Sequence, residues 1–238
     1  MTVNATLSID LTTSWSPSTV EINEIERSGK IPVLNEQALL TDHSTNSFYI
    51  WGGYLSRDKS ASTTTLWRFI ANGAGGGDWS SESPSNPELF MRLQRSETSA
   101  YASSTDTGFM FGGRATDSDT QSTKVNIKGF ATFNFLTTEW TDWNDDAPYS
   151  QDGSLWGGTA TYVEQFGEAG IIVILGGKEM LHQPASGDVD FNTIHFYDIA
   201  AQKWHKQVTH EDSEAPPRRH HHCTVGAGDT SANGTYEM

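Results

Sequence analysis

The chain has 238 residues, with 15 Lys and Arg against 30 Asp and Glu, for a formal net charge of −15 at neutral pH. So acidic a surface repels phosphate backbones and anionic headgroups, which argues against nucleic-acid binding and against docking on an anionic membrane. The only cysteine is Cys223, so no disulfide can form within the chain, and no apolar run approaches the length of a membrane-spanning helix.

The opening stretch, "MTVNATLSID", has neither the basic region nor the apolar core of a signal peptide. Within "ATLSIDLTTSW", Leu7 and Ile9 take alternate apolar places and Trp15 follows them, a pattern that predicts a pair of strands. Over residues 33–84 four strand-like runs succeed one another: "QALLTD", "SFYIWGG" ending in Gly52 and Gly53, "TLWRF", and a short run carrying Trp79. The same order returns over 95–146, as "TSAYASS", "GFMFGG" with Gly112 and Gly113, "GFATFNF" and Trp140. It returns again over 154–210, as "GTATYV", "IIVILGG" with Gly176 and Gly177, "TIHFYDI" containing Tyr197, and Trp204. From the second glycine to the tryptophan the separations are 26, 27 and 27 residues, and the tryptophans stand 61 and 64 apart.

A period near 60 residues with four strands in each copy predicts an all-β propeller, built from four-stranded antiparallel blades. In such a fold the apolar second strand is buried on both faces between neighbouring blades. The glycines allow a close backbone approach, and the tryptophan fills the wedge between blades. By repeat phase, residues 1–20 end a preceding blade, and residues 216–238, with "RHHHCTV", start the innermost strand of a following one.

These features resemble the kelch repeat, whose signature is Gly-Gly after an apolar run, then an aromatic residue, then Trp. "HFYDIAAQKW" matches it best, with Tyr197 seven residues before Trp204; "TFNFLTTEW" keeps that step from Phe133 to Trp140, and "LWRFIANGAGGGDW" carries a glycine-rich insertion. The chain is similar to fungal kelch proteins of the galactose oxidase/kelch superfamily. The resemblance implies an incomplete propeller of about three complete blades plus partial blades at both ends, whose missing blades belong to a longer parent. It further implies that the parent is secreted or membrane-anchored, with a cytoplasmic protein as the alternative. Closure of the two ends into a small four-bladed ring is the alternative architecture.

The candidate chemistry is sparse. Strand alternation puts His220 and His222 on one face of "RHHHCTV" and His221 and Cys223 on the other, so three histidines cannot grip one metal. "TDWNDDAP" and "TDSDT" lack the acidic loop pattern of a calcium site, and "NGAGGG" lacks the Lys-Ser/Thr of a phosphate loop. No catalytic motif emerges and no cofactor is expected. Asn4 and Asn233 head glycosylation sequons. The long segments after each Gly-Gly all leave one face of the predicted disc, where Arg57, Lys59, Arg114 and Lys178 stand near the glycines. The expectation is an interaction module that binds a protein or glycan partner with these residues, His220 and His222. The alternative is a carbohydrate-active or oxidase-type enzyme working at the channel mouth.

Overall fold

The computed structural model describes residues 5–26, 31–55, 65–116, 124–143, 147–149, 154–179, 187–210, 216–228 and 236–237. The fold is all-β and propeller-like, with one short α-helix (Pro87–Arg92) and one 3-10 turn (His43–Thr45) among the described residues. Each of three four-stranded antiparallel sheets is laid out in chain order. Sheet I comprises Ala38–Asp42, Ser47–Trp51, Leu66–Ala71 and Gly77–Glu82. Sheet II comprises Ala100–Ser103, Thr107–Phe111, Phe130–Asn134 and Trp140–Trp143. Sheet III comprises Thr159–Val163, Ile171–Leu175, Thr193–Asp198 and Lys203–Val208. No described helix is long and apolar enough to cross a membrane.

Within each sheet the aromatic residue and the tryptophan are direct cross-strand partners: Phe69 with Trp79, Phe133 with Trp140, and Tyr197 with Trp204. The glycine-rich insertion leaves this pairing intact, because it sits beyond it in the turn between the third and fourth strands. There Asn72 Oδ1 accepts from the amides of Ala74 and Gly76.

The core lies between the sheets. Ala38, Leu40, Tyr49, Trp51 and Leu66 of sheet I pack on Met110, Phe133 and Trp140 of sheet II. Ala100, Phe109, Phe111 and Phe130 of sheet II pack on Ile172, Ile174, Tyr197 and Trp204 of sheet III. Trp140 is 1% exposed and sits 4.8 Å from the Trp51 ring, so the tryptophan wedges toward the preceding sheet. The short helix adds Phe90 to that wedge, and Asn86 just before it exchanges hydrogen bonds with the Trp140 backbone in both directions.

Each Gly-Gly pair clamps two sheets. Gly112 and Gly113 have φ of 58° and 90°, a region L side chains rarely enter. A Cβ on Gly112 would lie 2.4 Å from the Leu155 carbonyl oxygen, at the entrance to sheet III; one on Gly113 would strike the Glu97 carbonyl, at the entrance to its own sheet. Freed of side chains, the second glycine donates its amide across the joint: Gly53 to Ser96 O, Gly113 to Leu155 O and Gly177 to Arg219 O. A reciprocal bond returns from the residue two places after the acceptor: Thr98 N donates to Glu36 O, Gly157 N to Thr98 O, and His221 N to Gly157 O. All four members of this second ladder hold positive φ, at 57°, 57°, 64° and 53° for Glu36, Thr98, Gly157 and His221.

The ends differ from expectation in two places. The N-terminal hairpin pairs Ala5–Ile9 with Ile22–Glu26, so it runs past residue 20, and Trp15 lies 48% exposed in the connection instead of filling a wedge. Pro17 and the turn at Ser16–Val20 keep that stretch out of a ladder, and Ile22 opposite Ile9 stands nearest the expected tryptophan place. At the other end, His220–Thr224 does not form a regular alternating strand. His221 must turn its amide back toward Gly157, and its positive φ breaks the alternation. The first paired residues there are Ala227–Gly228, bonded to Tyr236–Glu237.

Gly112→Ala adds a backbone clash to an unfavourable φ, and should cost at least about 2 kcal/mol by the scale of strained backbone positions. Urea unfolding followed by tryptophan fluorescence measures this, with exposed Gly73→Ala, whose Cβ meets nothing within 4 Å, as the φ-only control.

Candidate functional site

The residue just after each Gly-Gly starts a short strand segment on one face of the molecule. Tyr54, Arg114 and Lys178 hold this place, with Cα partners Asn35, Glu97 and Trp156. The repeat therefore builds two rows along the rim: Tyr54, Arg114 and Lys178 in one, and Asn35, Glu97, Trp156 and His220 in the other. Because each Gly-Gly reaches across a joint, the first row leans on the second row of the next unit.

Arg114 shows this most clearly. Its guanidinium carbon lies 4.1 Å from the centroid of Trp156, a cation–π contact across the joint between sheets II and III. Trp156 is flanked by the rings of His221 at 4.6 Å and His220 at 5.2 Å. His220 Nδ1 is 3.0 Å from Asp188 Oδ1, and Arg218 donates to the Asp188 carbonyl and to Asp190 Oδ2. On the other side of Arg114, buried Glu97 accepts from Lys124 Nζ on both carboxylate oxygens and from Thr116, while Lys124 sits 5.6 Å over the Tyr54 ring. Glu36 nearby, then burial, then Glu97 push the Tyr54 phenol up, so it stays a donor.

The result is a continuous strip of charged and aromatic groups, Tyr54–Lys124–Glu97–Arg114–Trp156–His220–Asp188–Arg218, that crosses three joints on one face. Arg114 Nε and Trp156 Nε1 are both buried, and neither has a hydrogen-bond partner among the described residues. Trp51, Trp67 and Trp140 have indole Nε1 atoms in the same state, so an orphaned donor is not peculiar to this strip; what is particular here is that two of them lie in one stacked pair. Beside the strip, the pocket that holds Glu179, Asp188 and Asp190 raises the Glu179 carboxyl pKa, first by burial and then by the Asp190 charge.

Of the residues singled out in the sequence, Arg114 and His220 belong to this strip, and Lys178 lies on the backbone opposite Trp156. Arg57, Lys59, Asn4 and Asn233 lie outside the described residues; the place equivalent to Arg114 in the first unit is Tyr54, one residue after Gly53, and not Arg57. His222 and His220 do not share a face. After the turn at His221, His222 packs its ring on Gly176, Thr159 and Phe191 in the joint, with Nδ1 buried and unpartnered among the described residues. Glu97, Lys124, Trp156 and Asp188 were not marked by any motif. The signal for two of them was phase: Glu97 and Trp156 each stand one residue before a ladder position. No group of three or more His, Cys, Asp or Glu side chains placed to hold a metal occurs among the described residues. Cys223 is free and exposed.

No protein-family model matches the chain, and neither does any curated protein. Among solved structures, the structure of YjhT matches 86% of this chain and 52% of that one, with a TM-score of 0.54 and 11% sequence identity. At that identity the likeness is one of fold alone, and this chain spans about half the length of that structure.

Burial, followed by the charges of Arg219 and His220, lowers the His222 pKa below the ordinary imidazole value of about 6.5. The folded joint therefore binds fewer protons than the open one. Its stability is complete above the unfolded value and falls as pH drops through and below it. The protection of the Gly177 and His221 amides from hydrogen exchange, measured relative to their intrinsic rates, should fall between pH 7 and about 5. His222→Gln should flatten that pH dependence.

Proposed function

We propose that the chain is an arc of a kelch-type β-propeller, with about three complete blades and partial blades at both ends. In this reading it acts as an interaction module within a longer secreted or membrane-anchored protein. The module binds a protein or glycan partner on the face where the segments after each Gly-Gly emerge. The kelch assignment and the setting of the parent rest on the sequence resemblance. The binding face rests on one observation: the polar and aromatic strip at the joints, with Arg114 stacked on Trp156 and both donors buried without acceptors.

The two residues are half-buried, so it is the exposed remainder of the pair, and not the buried Nε and Nε1, that a ligand with a flat or apolar surface and oxygen acceptors at its edge would meet. Arg and Trp are the residue types that dominate binding energy at interfaces. The charge pattern adds a limit. With a net charge of −15, the strip's cations are a local exception on an acidic surface, so partners with dispersed negative charge are disfavoured.

The test uses the whole chain on a glycan microarray and, in parallel, a photo-crosslinkable residue at position 54 with mass-spectrometric identification of the captured protein. For the ligand found, Arg114→Ala and Trp156→Ala should each weaken binding about tenfold or more, as expected of central anchors. Unchanged affinity in both variants, with circular dichroism showing them folded, overturns the reading, as does an absence of binding in both arms.

A further inference from the structure

The side of sheet III that faces sheet II carries a polar cavity of about 340 Å³, at the small end of the roughly 300–1,000 Å³ that ligand pockets span. Tyr197 marks that side, with its ring against Phe109 and Phe130 of sheet II. Strand alternation puts His195 and Thr193 on the same side, and Lys206 stands directly across from His195. Buried Tyr149 adds a fixed aromatic wall, its hydroxyl donating to the Gly129 carbonyl just before the third strand of sheet II. Glu179, Asp188 and Asp190, from the segment after Gly177, line the rest together with Arg218.

The repeat offers an internal comparison. His195 and Lys206 stand two residues before the aromatic and two after the tryptophan of their sheet. That place is held by Trp67 and Ser81 in sheet I, and by Ala131 and Asp142 in sheet II. Packing between sheets therefore calls for no imidazole beside an ammonium, and the half-buried His195 exceeds what the scaffold requires.

Two of the carboxylates are already committed. Asp188 Oδ1 lies 3.0 Å from His220 Nδ1, and Asp190 accepts from Arg218 on Oδ2 and from the Asn192 amide on Oδ1. The side chains of Glu179, His195 and Lys206 differ: none has a hydrogen bond or an ion pair among the described residues. Burial, then the Asp190 charge, raises the Glu179 pKa, so its carboxylate is short of a cation. Burial, then the Lys206 charge, lowers the His195 pKa, which favours a neutral ring with one nitrogen to donate and one to accept. An unpaired anion and an unpaired cation, on two elements that line one small cavity, are matched by a ligand that carries both charges itself.

We propose that this cavity binds a small zwitterion of the α-amino acid class. The ligand's ammonium meets Glu179 and the second oxygen of Asp188. Its carboxylate meets Lys206 and the N–H of His195, and Tyr149 and Val189 flank its side chain. Both sets are charge-assisted hydrogen bonds, the stronger kind. A simple amine or a simple acid satisfies one half of the site, and a peptide holds its charged ends too far apart. The inference goes beyond the rim reading and uses neither Arg114 nor Trp156.

Isothermal titration calorimetry on the whole chain near neutral pH tests it, with the common α-amino acids as ligands and with acetate, ethylamine and glycinamide as one-charge probes. At least one amino acid should bind, at one site per chain, and the one-charge probes should bind at least about tenfold more weakly. Glu179→Gln and Lys206→Met should each weaken the amino acid by a similar factor. His195→Ala installs the residue that sheet II carries at 131, so it should weaken binding while circular dichroism and urea unfolding match the wild type. Arg114→Ala should leave amino-acid binding unchanged, which separates failure here from failure of the rim reading. The proposal is overturned if no amino acid binds at millimolar concentration, if the one-charge probes bind as tightly, or if the Glu179 and Lys206 variants keep full affinity.

Discussion

The architecture depends on a two-way exchange of backbone hydrogen bonds at each joint. A glycine amide crosses forward to the entrance of the next sheet, and an amide from that entrance crosses back. Sheet-on-sheet packing alone is tolerant of sliding, because apolar contact has no direction. The two hydrogen bonds remove that freedom. They fix how far each sheet is rotated from the last, and they demand a glycine pair on one side and a left-handed ladder residue on both. The tryptophan wedge then has a defined gap to fill, and the rim residues have defined neighbours. Arg114 lies on Trp156 because Gly113 is bonded to Leu155, one residue away.

Much of the fold was legible because its strictest requirements are sequence-visible. Gly-Gly is required wherever an added Cβ would meet a carbonyl at van der Waals overlap, and the aromatic-to-tryptophan step is required because those residues face each other across a strand pair. The glycine-rich insertion before Trp79 lengthened a turn without moving the pair. The ends were harder. Trp15 matched by residue type, but the register was set by Ile9 and Ile22, and nothing local distinguishes a wedge tryptophan from one in a connection. The histidine run misled for a related reason. Alternation assumes extended backbone, and His221 departs from it to satisfy a bond to Gly157, sixty-four residues earlier.

The candidate site was legible only as a location. Its face follows from the Gly-Gly exits, and Arg114 and His220 follow from proximity to them. Glu97, Lys124 and Trp156 gain their meaning from contacts across a joint, between residues whose spacing along the chain carries no motif. The left-handed ladder offers a rule that a reader of sequence can apply: the residue before each ladder position is a rim residue. Asn35, Glu97, Trp156 and His220 differ in chemistry at this one structural place. The scaffold fixes where the side chain stands, and leaves its identity free to follow the ligand.

The ladder of positive-φ residues has one more consequence. Each joint has a donor and an acceptor on both sides, but they belong to different chemical environments: a side-chain-free glycine on one, a left-handed turn on the other. Two identical faces brought together lose this complementarity wherever a glycine amide meets a glycine amide or a turn carbonyl a turn carbonyl, and each such meeting leaves its groups unbonded inside an apolar contact. The fold therefore carries an internal arrow. Surfaces that pair wrongly are rejected by unmet hydrogen bonds and not by shape, and the same arrow tells any added unit which way round it must arrive.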